Sequence, residues 1–235
     1  MSIPFNIGKN SNGEYQFIDL VNNPLLMISY CDNEQLEKSL NSINQCSNHA
    51  AVSFYIMTVR RRLHFSESNQ RVGLFLRDEP LEGTVKSRVL FLNKILQETR
   101  RRNKLLKSKK ITSFNVYYSL NLWNKEKLDY RILLIDDVWD IVRAKSKQTG
   151  INLIRILLNG PAVGIYTILA SELSYRNLLQ QLVTINPRIS EELQSKYGIP
   201  EPKQINLMGS EIIYSPDGLV FHKEKGSLGL TKYYP

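Results

Sequence analysis

The sequence predicts an α/β domain built around a mainly parallel sheet, and three observations carry that expectation. The run "YRILLIDD" is continuously apolar from Ile132 to Ile135 and ends in two carboxylates. Such a pattern suits a central parallel strand covered on both faces. Strand-like runs alternate with helix-like segments along most of the chain, as in parallel sheets joined by helical crossovers. A long segment from Thr84 to Ser108 repeats apolar residues at helical spacing.

In chain order, "EYQFIDL" (Glu14 to Leu20) alternates as a half-buried strand after the turn Ser11-Asn12-Gly13. "PLLMIS" follows as a buried strand, then "DNEQLEKSLNSINQC" as a helix that Asp32 or Asn33 can cap. "AVSFYIMTV" (Ala51 to Val59) has the β-branched and aromatic content of a strand, and "RVGLFL" (Arg71 to Leu76) reads as a short one. On the helix Thr84 to Ser108, the expected apolar stripe is Val85, Val89, Leu90, Leu92, Ile95, Leu96 and Leu105. "SFNVYYSLNLW" is an aromatic connector, and a helix is expected from about Val138 to the break at Gly160-Pro161. "GIYTILAS" is a further buried strand. Ile212 to Tyr214 and Leu219 to Phe221 flank Ser215-Pro216-Asp217-Gly218, a hairpin signal.

With 235 residues and no repeat, long linker or low-complexity tract, the expected organisation is one domain over 1–235. A lead-in hairpin occupies 1–22, and a hairpin and tail occupy 196–235. Hydrophobic residues make up 42% and charged residues 23%, the balance of a globular domain rather than a fibrous or disordered chain. No apolar run reaches the ~20 residues of a membrane span. "MSIPFNIGKNSNGEYQ" lacks the layout of a secretory signal, so a cytoplasmic location without direct membrane insertion is expected. Cys31, Cys46 and three scattered histidines match no metal or disulfide spacing.

The net charge of +9 calls for anionic partners. Dense basic blocks at Arg60, Arg61 and Arg62, and at Arg100, Arg101, Arg102, Lys107, Lys109 and Lys110, are candidates for DNA or for an acidic protein. A solvated helix face accounts for them equally well.

Six segments, in order, resemble the motor domain of FtsK/SpoIIIE-type DNA translocases in the HerA–FtsK superfamily of P-loop ATPases. The ATPase modules of type VII secretion are related. "IPFNIGKNSNGEYQFIDLVNNPLLMIS" is similar to that family's lead-in, and "VSFYIMTVRRRLHF" to its second core strand. "ETRRRNKLLKSKKITSFNVYY" resembles its Arg-Arg helix and Tyr connector, and "RILLIDDVWDIV" its Walker B strand. "LIRILLNGPAVGIYTILASE" resembles the segment that closes on a sensor glutamine, and "LMGSEIIYSPDG" the last hairpin. The resemblance implies a P-loop NTPase-like sheet flanked by helices, with a C-terminal β-hairpin.

It also assigns stations, most of which depart from the family's pattern. Lys38 and Ser39 align with the Lys-Ser of the phosphate loop, yet "SYCDNEQLEKS" contains no glycine and carries Asp32, Glu34 and Glu37. A phosphate cradle needs glycines so that backbone N–H groups can turn inward. Asp136 matches the Walker B aspartate, which would hold Mg²⁺ through water. Asp137 stands where the family has a water-orienting glutamate, and Glu172 where it has the sensor glutamine. Pro161 occupies the place of an arginine that serves a neighbouring subunit, and Arg188 alone persists in the segment matching the DNA-facing loop.

Three functions remain open from the sequence. The first is a degenerate, non-catalytic assembly module working as a homo-oligomer or beside active FtsK-like subunits, with no cofactor. The second is an active DNA-dependent ATPase using ATP and Mg²⁺ through an atypical loop, and the third is a passive DNA-binding protein.

Overall fold

The computed structural model describes residues 2–29, 52–58, 72–77, 84–120, 128–136, 138, 147–171, 210–214, 220–223 and 231–233. Strands β1 (Pro4–Lys9) and β2 (Tyr15–Asp19) form a two-stranded antiparallel sheet. The Asn10 side chain shapes their turn by accepting the N–H groups of Asn12 and Glu14 at 2.9 and 3.0 Å. The second sheet has eight strands: β3 (Leu25–Ser29), β4 (Val52–Thr58), β5 (Val72–Arg77), β6 (Tyr130–Ile135), β7 (Ile165–Ser171), β8 (Ser210–Tyr214), β9 (Val220–Lys223) and β10 (Thr231–Tyr233). Their spatial order is β10-β9-β8-β3-β7-β6-β4-β5. The six strands from β8 to β5 run parallel, while β8, β9 and β10 pair antiparallel.

The parallel centre follows from composition. Every residue of β4 and β7 is buried, as are Ile132 to Ile135 of β6, so both sheet faces are covered there. Strand β2 behaves differently because it lies in the small outer sheet: Ile18 is buried, whereas Tyr15 and Phe17 are more than half exposed. Asp19 fastens the start of the chain and the connector that leads into the main sheet. Its Oδ1 accepts the N–H groups of Ile3 and Val21 just before β3 begins.

Helix α1 (Thr84–Ser108) has the expected span, but its buried face is set differently from the expected stripe. Leu92, Ile95 and Leu96 are buried together with Arg88, Phe91, Thr99, Arg102 and Leu106. Val85, in the first turn, and Leu90, which shares its face with Lys86 and Lys94, are exposed. The aromatic connector contains a short helix, α2 (Phe114–Ser119), because the Ser113 hydroxyl caps it by accepting the Val116 N–H. Helix α3 (Lys147–Asn159) packs beside α1. The expected start of that helix near Val138 adjoins 139–146, which lie outside the described residues.

Two helix ends show how backbone geometry selects residues. After α3, a single 3₁₀ turn (Pro161–Val163) closes on Gly164 at φ +76°. A Cβ there would land on the Phe114 ring. Helix α1 ends in a Schellman motif: the Ile111 N–H donates to the Leu106 carbonyl at 2.9 Å and the Lys110 N–H to the Lys107 carbonyl at 3.0 Å. The left-handed residue of this motif is ordinarily glycine, but here it is Lys110, at φ +57°.

These geometries give opposite expectations for two substitutions, both read by urea denaturation. Gly164→Ala should destabilise the fold by about 2 kcal/mol or more, through overpacking and left-handed strain. Lys110→Gly should stabilise it by up to about 1 kcal/mol, by removing the same backbone strain.

Candidate functional site

Parallel registers bring the carboxyl ends of the central strands to one edge. Ser29 of β3 pairs with Ser171 of β7, Leu169 of β7 with Ile135 of β6, and Ile135 with Met57 of β4. Carried one residue further, these registers place Asp136 between Thr58 and Ala170. The Asp136 N–H donates to the Met57 carbonyl at 3.2 Å, extending the ladder past the end of β6. Ligands of open parallel sheets bind beyond this edge.

Asp136 is fully buried, as are Thr58 and Ser171 at the ends of the flanking strands. The Thr58 hydroxyl has no hydrogen-bond partner among the described residues. A buried carboxylate beside an unsatisfied hydroxyl is a hard-oxygen donor set, which suits Mg²⁺ better than a softer metal. Asp136 is the residue that would hold such an ion, and the ion would supply charge neutralisation for a phosphate. Among the described residues there is no cluster of three or more His, Cys, Asp or Glu side chains arranged to hold a metal by themselves. Lys38, Ser39, Asp137 and Glu172 of the expected site, and Arg60, Arg61, Arg62 and Arg188 of the expected basic surface, lie outside the described residues. Pro161 is the first residue of the 3₁₀ turn, at the amino edge of the sheet, where β6 and β7 begin.

The second basic block divides in the structure. Arg100, Arg101, Lys107, Lys109 and Lys110 are exposed. Arg102 is not, and its assignment to a nucleic-acid surface is corrected here: the residue is fully buried. Its Nε donates to Glu98 Oε1 at 2.7 Å, and its Nη1 donates to the carbonyls of Asp129 and Val163 at 2.8 and 3.2 Å. Its Nη2 lies 3.4 Å from Asp129 Oδ1, and the guanidinium sits over the Phe114 ring. The i,i+4 spacing of Glu98 and Arg102 was the available sequence signal. The partnership with Asp129 had none, because it spans 27 positions.

Around this node the charges alternate. Arg101 makes a two-pronged pair with Glu98, and Arg131 pairs with Asp129 at 2.8 Å while stacking over Tyr55. Burial pushes the Glu98 carboxyl up, but the hydrogen bonds and charges of Arg101 and Arg102 outweigh it, leaving the group below its ordinary range. Nearby, the hydroxyls of Tyr130 and Tyr166 both donate to Asn115 Oδ1. Burial pushes Tyr130 up to about 12 and Tyr166 higher still, so both stay neutral donors. Asp129 immediately precedes β6 and Asp136 immediately follows it. The arginine node and the candidate ligand edge are therefore separated by the length of that strand, about 20 Å.

No protein-family profile and no curated protein matches this sequence. Solved structures do match. The cytoplasmic domain of the type VII secretion ATPase EccC from Thermomonospora curvata superposes with a TM-score of 0.70 at 14% identity, covering 99% of this chain and 28% of that one. The pCW3 conjugation coupling protein TcpA, in a monomer form with ATPγS, gives 0.66 at 12% identity over 99% of this chain and 65% of that one. EssC (ATPases 2 and 3) from Geobacillus thermodenitrificans gives 0.57 at 16%, over 100% of this chain and 45% of that one. This chain thus spans less than two thirds of each of these neighbours. The fold is the one these ATPase domains share, a mainly parallel sheet flanked by helices, as the sequence resemblance implied. None of the described helices is long and apolar enough to cross a membrane.

Removing the buried cation while keeping its bulk, in Arg102→Met, should destabilise the protein by about 3–5 kcal/mol, because two buried carbonyls lose their donor and Glu98 keeps only one of its two cations, Arg101. Glu98 has a folded pKa below its unfolded one. Its contribution is therefore present above the ordinary carboxylate range and is lost as pH falls below about 4.5. In Glu98→Gln that acid-side loss of stability should shrink, as read by thermal melts between pH 3 and 7.

Proposed function

We propose that this chain is a P-loop-fold module of a translocation or secretion machine that acts by binding and assembly rather than by hydrolysing ATP. The observation that carries the proposal is a mismatch between scaffold and loop. Asp136 sits at the end of a central parallel strand, as a nucleotide site requires. The segment after β3 nevertheless has no glycine between Asn23 and Ile43 and carries Asp32, Glu34 and Glu37. Charge-assisted N–H bonds to phosphate contribute about 1.5–3 kcal/mol each. A loop that forfeits several of them while adding carboxylates lowers affinity for a triphosphate steeply. Asp137 and Glu172, in place of the family's glutamate and glutamine, weaken hydrolysis further: misplacing a reacting group by about 1 Å costs ~10²-fold in rate.

The neighbours support a working context. Each is larger than this chain, and one structure of ATPases 2 and 3 of EccC holds a signal sequence peptide. By analogy, this module would sit on the cytoplasmic side among other ATPase domains and take a protein partner.

A second reading, an active DNA-dependent ATPase, is favoured by the buried Asp136 beside the Thr58 hydroxyl. Titration with a fluorescent ATP analogue and Mg²⁺ separates the two. The assembly reading expects a Kd weaker than about 1 mM and no phosphate release with duplex DNA. Micromolar binding abolished by Lys38→Ala, or DNA-stimulated release lost in Asp136→Ala, would establish the active ATPase instead.

A further inference from the structure

Helix α1 runs from the end of β5 back to the amino edge of the sheet, and its outer face is basic along its whole length of about 37 Å. Lys86, Lys94, Arg100, Lys104 and Lys107 are exposed on that face, and Lys110 is exposed at its end. None of the six has an ion-pair partner among the described residues. The acid within the helix, Glu98, is turned inward and engaged by Arg101 and Arg102.

We infer that this face is a docking surface for the phosphate backbone of a nucleic acid, separate from the carboxyl edge and independent of nucleotide. Three observations choose that occupant. First, five of the six cations are lysines and no aromatic residue is exposed among them. Protein–protein interfaces are depleted of lysine and enriched in aromatics, whereas lysine serves phosphate as a mobile point charge. Second, the apolar side chains exposed on α1, Val85 and Leu90, sit beside Lys86 and Lys94 in its first half, and the dense block Arg100 to Lys110 has none beside it. A bilayer-binding helix would instead place apolar side chains beside its cations. Third, Lys110 occupies the left-handed position where glycine carries no strain. A strained residue retained at such a site points to a use for its side chain. The ammonium there extends the row of cations past the last helical turn.

Such binding is sequence-independent and steeply salt-dependent, with a log–log slope of about −0.9 per phosphate neutralised on duplex DNA. The test is fluorescence anisotropy of the full chain with a labelled 30-base-pair duplex, without nucleotide or Mg²⁺, between 50 and 300 mM salt. Lys104→Glu/Lys107→Glu should weaken binding by tenfold or more at about 0.1 M salt and make the slope shallower by about 2. Lys110→Gly should weaken binding and reduce the slope by about 1. Because that variant is expected to be the more stable protein, its loss of binding cannot be put down to unfolding. Unchanged duplex binding in either variant, or a flat salt dependence, overturns the proposal. So does a preference for phosphatidylserine vesicles or for poly-glutamate over the duplex, which would assign the face to a membrane or to an acidic protein. Failure of the nucleotide reading leaves this test untouched, since no nucleotide is present.

Discussion

A guanidinium with no access to water must have its charge and its donors met by the protein, and in this fold Arg102 is that group. It joins three places far apart in sequence: the last turns of α1, the residue before β6, and the 3₁₀ turn after α3. Phe114 covers its remaining face and is itself held in place by Gly164, where a side chain would collide with the ring. The node therefore sets where α1 crosses the sheet and which end of β6 faces which part of the molecule. Asp136, at the far end of that strand, inherits its position from the same arrangement.

One consequence is a separation of charge. The carboxyl edge presents Asp136 with the buried Thr58 and Ser171 at the ends of the flanking strands, a setting that suits a hard cation. The outer face of α1 carries cations without an ion-pair partner among the described residues, with Arg101 and Arg102 already engaged by Glu98. A net charge of +9 is thus concentrated in part on one helix face rather than spread evenly. At physiological salt the screening length is about 8 Å, well under the ~20 Å between Asp136 and the arginine node at the other end of β6.

A parallel sheet and a phosphate cradle differ in how much sequence change each tolerates. A parallel sheet tolerates wide sequence change, because its requirement is apolar residues of suitable volume; superposition on distant neighbours at 12–16% identity is what such tolerance produces. A phosphate cradle tolerates almost none, because each inward N–H depends on a backbone angle that a Cβ opposes.

The amino-acid sequence alone determined the elements whose signal is local. Runs such as Ile132 to Ile135 announce a central strand because burial on both faces leaves no room for polar residues. The span of α1 was readable from helical periodicity, and the β8–β9 hairpin from its turn residues. Asp136 as the strand-ending carboxylate was legible for the same reason. Tertiary structure alone decided matters that depend on distant partners. Arg102 belongs to one run with Arg100 and Arg101, yet it alone of the three is buried, because Asp129 and Val163 lie within reach only once β6 and the turn before β7 are in place. Leu90 belongs to the apolar pattern but faces outward, since which side of a helix is covered depends on what packs against it. The strain at Lys110 is likewise invisible in sequence, because a backbone angle is set by the chain reversal between α1 and α2 and not by the residue that must adopt it.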